Sequence, residues 1–134
     1  MSLHTLIEQT LLKQTFVIFV SSQQYSDTAS ELIRSLKSEG KTVYPVSQQL
    51  SEIDGEACYE LLDNVSEAID CLVIFASPSD AERTIQSASH LNLPVVWLEP
   101  GSEDQAAINT ARAWGMKIVC GYSLLEVMQN GVPV

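Results

Sequence analysis

Positive charge is scarce in this chain. Seven Lys and Arg stand against seventeen Asp and Glu, giving a net charge of −10. Nowhere do the basic residues cluster, so the chain lacks the cationic surface that displaces counterions from nucleic acid. No apolar run approaches the roughly 20 residues that a membrane helix needs. His4, Glu8 and Gln9 interrupt the first residues, which therefore do not read as a signal peptide. The expected location is the cytoplasm, with no membrane partner. Three cysteines, Cys58, Cys71 and Cys120, form no C-x-x-C pair, which argues against a disulfide framework and against structural zinc. No G-x-G-x-x-G turn and no G-x-S-x-G elbow occurs. The two histidines, His4 and His90, fall away from any candidate serine or cysteine nucleophile. No catalytic pair is visible, and the expectation is a non-enzyme.

What is present is apolar. Hydrophobic residues make up 46% and charged residues 18%, enough to build a core and too apolar for disorder. The stretch from Thr15 to Gly40 organises the rest. Phe16 to Val20 suits a strand buried on both faces. A polar loop, Ser21 to Asp27, follows. Ala29, Leu32, Ile33 and Leu36 then recur at helical spacing, with Thr28 and Glu31 spaced as a capping box and Gly40 placed as a C′ residue. Strand, polar turn and helix make half of a βαβ unit.

The pattern repeats. Leu3, Leu6, Ile7 and Leu11 predict an N-terminal helix within residues 1–14, packed on the sheet. Thr42–Val46 predicts a second strand, which Pro45 stops or confines to an edge. Ala57–Leu62 reads as one or two helical turns. Cys71–Ala76 predicts the third strand, and Ser79-x-x-Glu82 the cap of the next helix. Val95–Leu98 and Lys117–Cys120 predict the last two strands. Ser102-x-x-Gln105 and Ser123-x-x-Glu126 predict the last two helix starts. Ala107, Ala111 and Trp114 should share a buried face, and Trp97 should be packed. Five alternations with short connections predict one domain over residues 1–134: a three-layer α/β/α Rossmann-like fold around a five-stranded parallel sheet.

Ligands of such sheets bind beyond the carboxyl ends of the strands. That rule selects the loops Ser21–Asp27, Ser47–Gly55, Ser77–Asp80, Glu99–Glu103 and Gly121–Ser123. The candidate contacts are Val20, Ser21, Ser22, Gln23, Tyr25, Ser47, Gln48, Ala76, Ser77, Pro78, Ser79, Glu99, Pro100, Gly101 and Ser123. No metal ligands are assigned. Ser79, Ser102 and Ser123 also read simply as helix caps. The predicted rim holds Asp27, Glu52, Asp54, Asp80, Glu99 and Glu103 and no cation. Arg83, one turn into the third helix, has two readings: a side chain that reaches the rim, or, the favoured one, a side chain that is solvated or paired along its helix.

Several segments carry a family resemblance, from about Leu6 to Glu126. They are Lys41-Thr42-Val43-Tyr44-Pro45-Val46-Ser47, Asp54-Gly55-Glu56-Ala57-Cys58-Tyr59-Glu60-Leu61, and Asp70 to Phe75. The most specific is Val95-Val96-Trp97-Leu98-Glu99-Pro100-Gly101, followed by Ala111 to Val119. The chain resembles the small stand-alone CoA-binding proteins, whose Rossmann-like domain also occurs in the α subunit of succinyl-CoA synthetase. The resemblance implies a CoA or other nucleotide ligand. The chain departs from the family at Val20-Ser21-Ser22 (glycine, alanine, serine in the family) and at Ser47 (asparagine). It departs again at Ala76-Ser77 (arginine), Glu99 (glutamine) and Ser123 (cysteine). Three functions follow: a non-catalytic CoA- or nucleotide-binding module, a protein-interaction module that has lost its ligand, or a subunit of a CoA-dependent enzyme that needs a partner chain. A homodimer or another protein partner is compatible with each.

Overall fold

The structure is a computed structural model describing residues 1–132. The last two residues of the expected domain, 133 and 134, lie outside the described residues. In chain order, the first half contains α1 (Leu3–Leu11), β1 (Thr15–Val20), α2 (Ser26–Ser38), β2 (Thr42–Val46) and a small hairpin of β3 (Glu52–Ile53) and β4 (Glu56–Ala57). The second half contains β5 (Cys71–Phe75), α3 (Pro78–Ser87), β6 (Val95–Leu98), α4 (Gln105–Ala113), β7 (Lys117–Cys120) and α5 (Leu124–Asn130). The main sheet is parallel throughout, in the order β2-β1-β5-β6-β7. This is the expected five-stranded Rossmann-like sheet.

Side chains alternate across it because the period of a strand is two. From β1, Phe16, Ile18 and Val20 enter one core layer with Leu6, Ile7, Leu32, Ile33, Leu124 and Val127 of α1, α2 and α5. Val17 and the half-buried Phe19 face the other layer, with Ala81 and Ile85 of α3 and Ala107 and Ala111 of α4. Trp97 is fully buried in the first layer, its indole N–H donating to the Tyr122 carbonyl at 2.9 Å. Between β1 and β5 the chain reverses its direction of travel across the sheet, since β1 is followed by β2 on one side and β5 returns on the other.

Some local expectations are corrected. Ala57–Leu62 is not helix. Asp54 and Gly55 both take positive φ, +54° and +79°, and turn β3 back onto β4, as a tight hairpin requires. Tyr59 then pairs with the edge of β2, accepting from the Ser47 N–H and donating to the Pro45 carbonyl, both at 2.9 Å. The pairing extends the segment despite its helical spacing, and only Leu62–Asn64 forms a 3₁₀ turn. Pro45 sits on an edge strand, as its missing N–H demands.

The caps move as well. Ser77, not Ser79, caps α3, with Pro78 at the first helical position, where its lost donor costs nothing. Asp104, not Ser102, caps α4. The buried Ser102 hydroxyl instead accepts from the Ala76 N–H at 3.0 Å and donates to the Ile74 carbonyl at 3.2 Å. The capping box at Thr28 is absent too, because a 3₁₀ turn at Gln23–Tyr25 leads directly into α2 at Ser26. Ser123 does cap α5.

Trp114 is 59% exposed, against the expected packing. The cause is a Schellman ending of α4. Gly115 at φ +80° donates to the Arg112 carbonyl, and Met116 donates to the Ala111 carbonyl at 2.9 Å. That geometry turns Met116 into the core and leaves Trp114 outside. An added Cβ on Gly115 meets no atom within 4 Å, so the cost of substitution there is conformational. Gly115→Val should lower the unfolding free energy by about 1–2 kcal/mol in urea titrations. Trp114→Ala should stay within about 0.5 kcal/mol of the parent. The reverse order would reject this helix ending.

Candidate functional site

The reversal between β1 and β5 sets where a ligand can enter. In a sheet of this order the two strands that feed connections in opposite directions part at their carboxyl ends and open a crevice. Here a cleft of about 350 Å³ lies beside that parting, over the ends of β1 and β2 and against α3, the helix that follows β5. Its floor is Phe19 and Ser21 from the end of β1 and Val46 from the end of β2. One wall is α3, which presents Asp80, Arg83, Thr84 and Ser87 at a spacing of three, four and seven residues. Gln48 and Gln49 form the opposite wall with Glu60, Leu61 and Leu62, brought over by the Tyr59 pairing with β2.

The cleft is amphipathic. Phe19 is half-buried and Leu61 is 47% exposed, offering apolar surface to a flat or aliphatic group. Among the described residues, the side chains of Ser21, Gln48 and Gln49 make no hydrogen bond within the chain. Thr84 and Ser87 turn their hydroxyls back on helix carbonyls, those of Asp80 and Thr84, at 2.8 Å each. Among the described residues Arg83 is the one cation on the lining, and its guanidinium pairs with Asp80.

The expected acidic rim is corrected by these positions. Of its six carboxylates only Asp80 lines the cleft, joined by Glu60. Asp54 pairs with Arg34 of α2 at 3.1 Å. Glu103 accepts from the Gly101 N–H at 2.7 Å. Glu99 is only 3% exposed, and its carboxylate accepts from the Leu124 N–H at 2.9 Å. The chain folds α5 over the end of β6, a contact 25 residues distant that no local pattern reveals.

The candidate residues separate. Ser21 and Gln48 line the cleft. Pro100 and Ser123 line a second hollow of about 330 Å³ beside α5, with Tyr122 and Glu126. Val20 and Ala76 are buried, and Ala76 is bonded through its N–H to Ser102. Ser47 is buried, its hydroxyl accepting from the Gln49 and Leu50 N–H groups at 3.3 and 3.1 Å and so shaping the loop. Ser77 is the cap of α3, with Pro78 and Ser79 exposed in its first turn. Ser22 is half-buried and Gln23 exposed in the turn before α2, and Tyr25 packs against the first core layer. Gly101 is exposed at φ +94°. Phe19, Gln49, Glu60, Leu61, Thr84 and Ser87 belong to the cleft without having been singled out. The α3 set was legible from its spacing; the Glu60–Leu62 set was hidden by the mistaken helix.

No group of three or more His, Cys, Asp or Glu side chains among the described residues is placed to hold a metal. Burial pushes the Cys71 thiol far up, and Cys58 is raised by burial and by Glu52. Neither has the electropositive setting of a nucleophile.

Burial pushes Glu99 up to about 7, with Glu126 and Glu103 adding to the effect and the Leu124 N–H opposing it. A carboxyl raised in the fold binds its proton more tightly there than in the unfolded chain. Its contribution is therefore fully present below the unfolded value near 4.3 and is lost as pH rises through about 7. Glu99→Gln should remove a loss of at most about 3–4 kcal/mol. The stability difference between variant and parent should grow from pH 4.5 to pH 8 in favour of glutamine. A difference that stays flat with pH would show that Glu99 titrates as an exposed carboxylate.

Comparison with known proteins gives the geometry a family. No curated protein matches the sequence. Among solved structures, the chain is similar to a hypothetical protein from Pyrococcus horikoshii OT3, at 19% identity and a TM-score of 0.86, over 99% of this chain and 94% of that one. A Thermus thermophilus protein matches at 22% identity and a TM-score of 0.83, over 99% and 100% of the two chains. The third is a dinucleotide-forming acetyl-coenzyme A synthetase 1 from Ca. Korarchaeum cryptofilum, in complex with phosphate and ADP. It matches at 20% identity and a TM-score of 0.68, over 84% of this chain and 26% of its own. At such identities the likeness establishes the fold. The model of the CoA binding domain family matches residues 13–127, from the entry to β1 through most of α5, and this chain belongs to that family.

Proposed function

We propose that the protein is a non-catalytic module that binds CoA, or a related adenine nucleotide, in the cleft at the β1/β5 reversal. Family membership over residues 13–127 carries the reading. The chemistry of the cleft supports it. Phe19 and Leu61 offer apolar contact, Gln48, Gln49 and Ser21 offer uncommitted hydrogen-bonding groups, and Arg83 offers a charge. A ligand made of a flat heterocycle, phosphates and an aliphatic arm needs all three kinds of contact.

The three departures nearest the sheet have structural work. Ala76 donates its N–H to the Ser102 hydroxyl, Glu99 accepts from the Leu124 N–H, and Ser123 caps α5. The substitutions at these positions therefore leave the cleft wall itself intact. The reading as a subunit that needs a partner chain has its own support. The synthetase that shares the fold is about four times longer than the shared part, which is 26% of it.

A thermal-shift series with CoA, acetyl-CoA, NAD and ATP separates the readings. A true ligand at 100 times its Kd adds about 2.7 kcal/mol of stability. CoA or acetyl-CoA should shift the melting temperature most, with ATP weaker. Leu61→Asp, on the exposed rim, should lower CoA affinity about tenfold or more in titration calorimetry while leaving the melting temperature of the free protein unchanged. No shift with any of the four ligands would favour the interaction-module reading.

A further inference from the structure

The Asp80–Arg83 pair has a property that the cleft's other groups lack: it is a charge already answered from within. Arg83 brings five donors and a permanent charge to a wall whose two hydroxyls, of Thr84 and Ser87, already donate to helix carbonyls. Asp80 stands one turn before it on the same stripe of α3, and the two side chains meet. Both are open to solvent, at 69% exposure for Arg83 and 37% for Asp80. A pair so exposed holds weakly, because water screens the attraction and two side chains must be ordered. A phosphate offers a planar guanidinium two parallel bonds and more charge than a single carboxylate. It can therefore take Arg83 from Asp80.

We propose that Arg83 is the phosphate-reading residue of this cleft and that Asp80 is its built-in competitor. Asp80 occupies the guanidinium while the cleft is empty and is displaced by a phosphate group of the ligand. The inference rests on the reading of the cleft as a CoA or nucleotide site. It adds that a phosphate group of the ligand lies against α3, and that occupancy is set by an exchange of anions. Asp80 then acts as a filter. A ligand without phosphate, such as pantetheine, gains nothing from Arg83 and has no means of opening the pair. A phosphate-bearing ligand gains the guanidinium but leaves the Asp80 carboxylate beside it, which limits affinity. Glu60, on the facing wall, adds a second negative charge and sharpens the same limit.

The test is titration calorimetry of the full chain with CoA, 3′-dephospho-CoA and pantetheine, at two salt concentrations. Arg83→Gln should weaken CoA about tenfold, the loss of one charge-assisted contact. Arg83→Lys should recover part of that loss, since it keeps the charge and gives up the fork. Asp80→Asn should tighten CoA about threefold or more by removing the competitor. Added salt should weaken CoA binding more in the parent than in Arg83→Gln. Pantetheine should respond to none of the three substitutions. An Arg83→Gln loss seen with CoA and 3′-dephospho-CoA alike assigns the diphosphate to Arg83. A loss seen with CoA alone assigns the 3′-phosphate.

Each variant's melting temperature should lie close to that of the parent, because both side chains are exposed and, among the described residues, bond only to each other. CoA binding that is equally tight in the parent, Arg83→Gln and Asp80→Asn, with one salt dependence, would overturn this inference and leave the proposed function standing. No binding of CoA by the parent and none by Asp80→Asn would overturn both.

Discussion

The parting of β1 and β5 is the constraint on which the rest of the structure depends. These two strands lie side by side at the centre of the sheet, paired from Phe16 with Cys71 to Val20 with Phe75. The Ser21 N–H still bonds the Phe75 carbonyl at 3.0 Å, so the pairing continues to the last residue before the chains separate. β1 then sends the chain into α2 on one face, and β5 sends it into α3 on the other. Two helices leaving in opposite directions cannot both cover the strand ends, and the uncovered space is the cleft. The Ser102 hydroxyl, bonded to both Ala76 and Ile74, ties the loop after β6 to the end of β5 and keeps that side closed. Only the side toward β2 remains open, and the chain brings Gln48 and Leu61 there.

This geometry separates groups that a linear reading places together. Five loops lie at the carboxyl edge of the sheet, but they serve two hollows and a buried network. The loops after β1 and β2 meet α3 around the cleft. The loops after β6 and β7 meet α5 around a different hollow. Glu99 belongs to neither, because α5 closes over it and uses its carboxylate to satisfy a backbone donor. Glu99 is thus held inside the fold, away from the lining of either hollow, with an affinity for protons raised by its burial.

The architecture was legible in the sequence because each strand and helix carries its own period. Phe16 to Val20 and Cys71 to Phe75 are apolar throughout, and the stripe at Ala29, Leu32, Ile33 and Leu36 can only be a helix face. What was not legible depends on contacts between distant residues. Ala57–Leu62 has helical spacing, yet Tyr59 completes its hydrogen bonds on β2. Ser102 stands in a capping position, yet Asp104 two residues on takes the cap and frees its hydroxyl for β5. Trp114 continues an apolar stripe, yet the left-handed Gly115 turns Met116 inward in its place. The same holds for the site. Ser21 and Gln48 follow from the strand-end rule, while Glu60 and Leu61 reach the cleft only through a β-bridge, and the role of Arg83 depends on what stands across from it.

The central claim is that the ligand of this family member enters at the β1/β5 parting and not at the loops around Glu99. Backbone amide shifts of the ¹⁵N-labelled chain, followed as CoA is added, test it most directly. The account predicts the largest changes at Ser21, Gln48, Gln49, Leu61 and Arg83, with Gly101, Gly121, Tyr122 and Ser123 unmoved. Changes concentrated at those four last residues, or none at any residue, would contradict it.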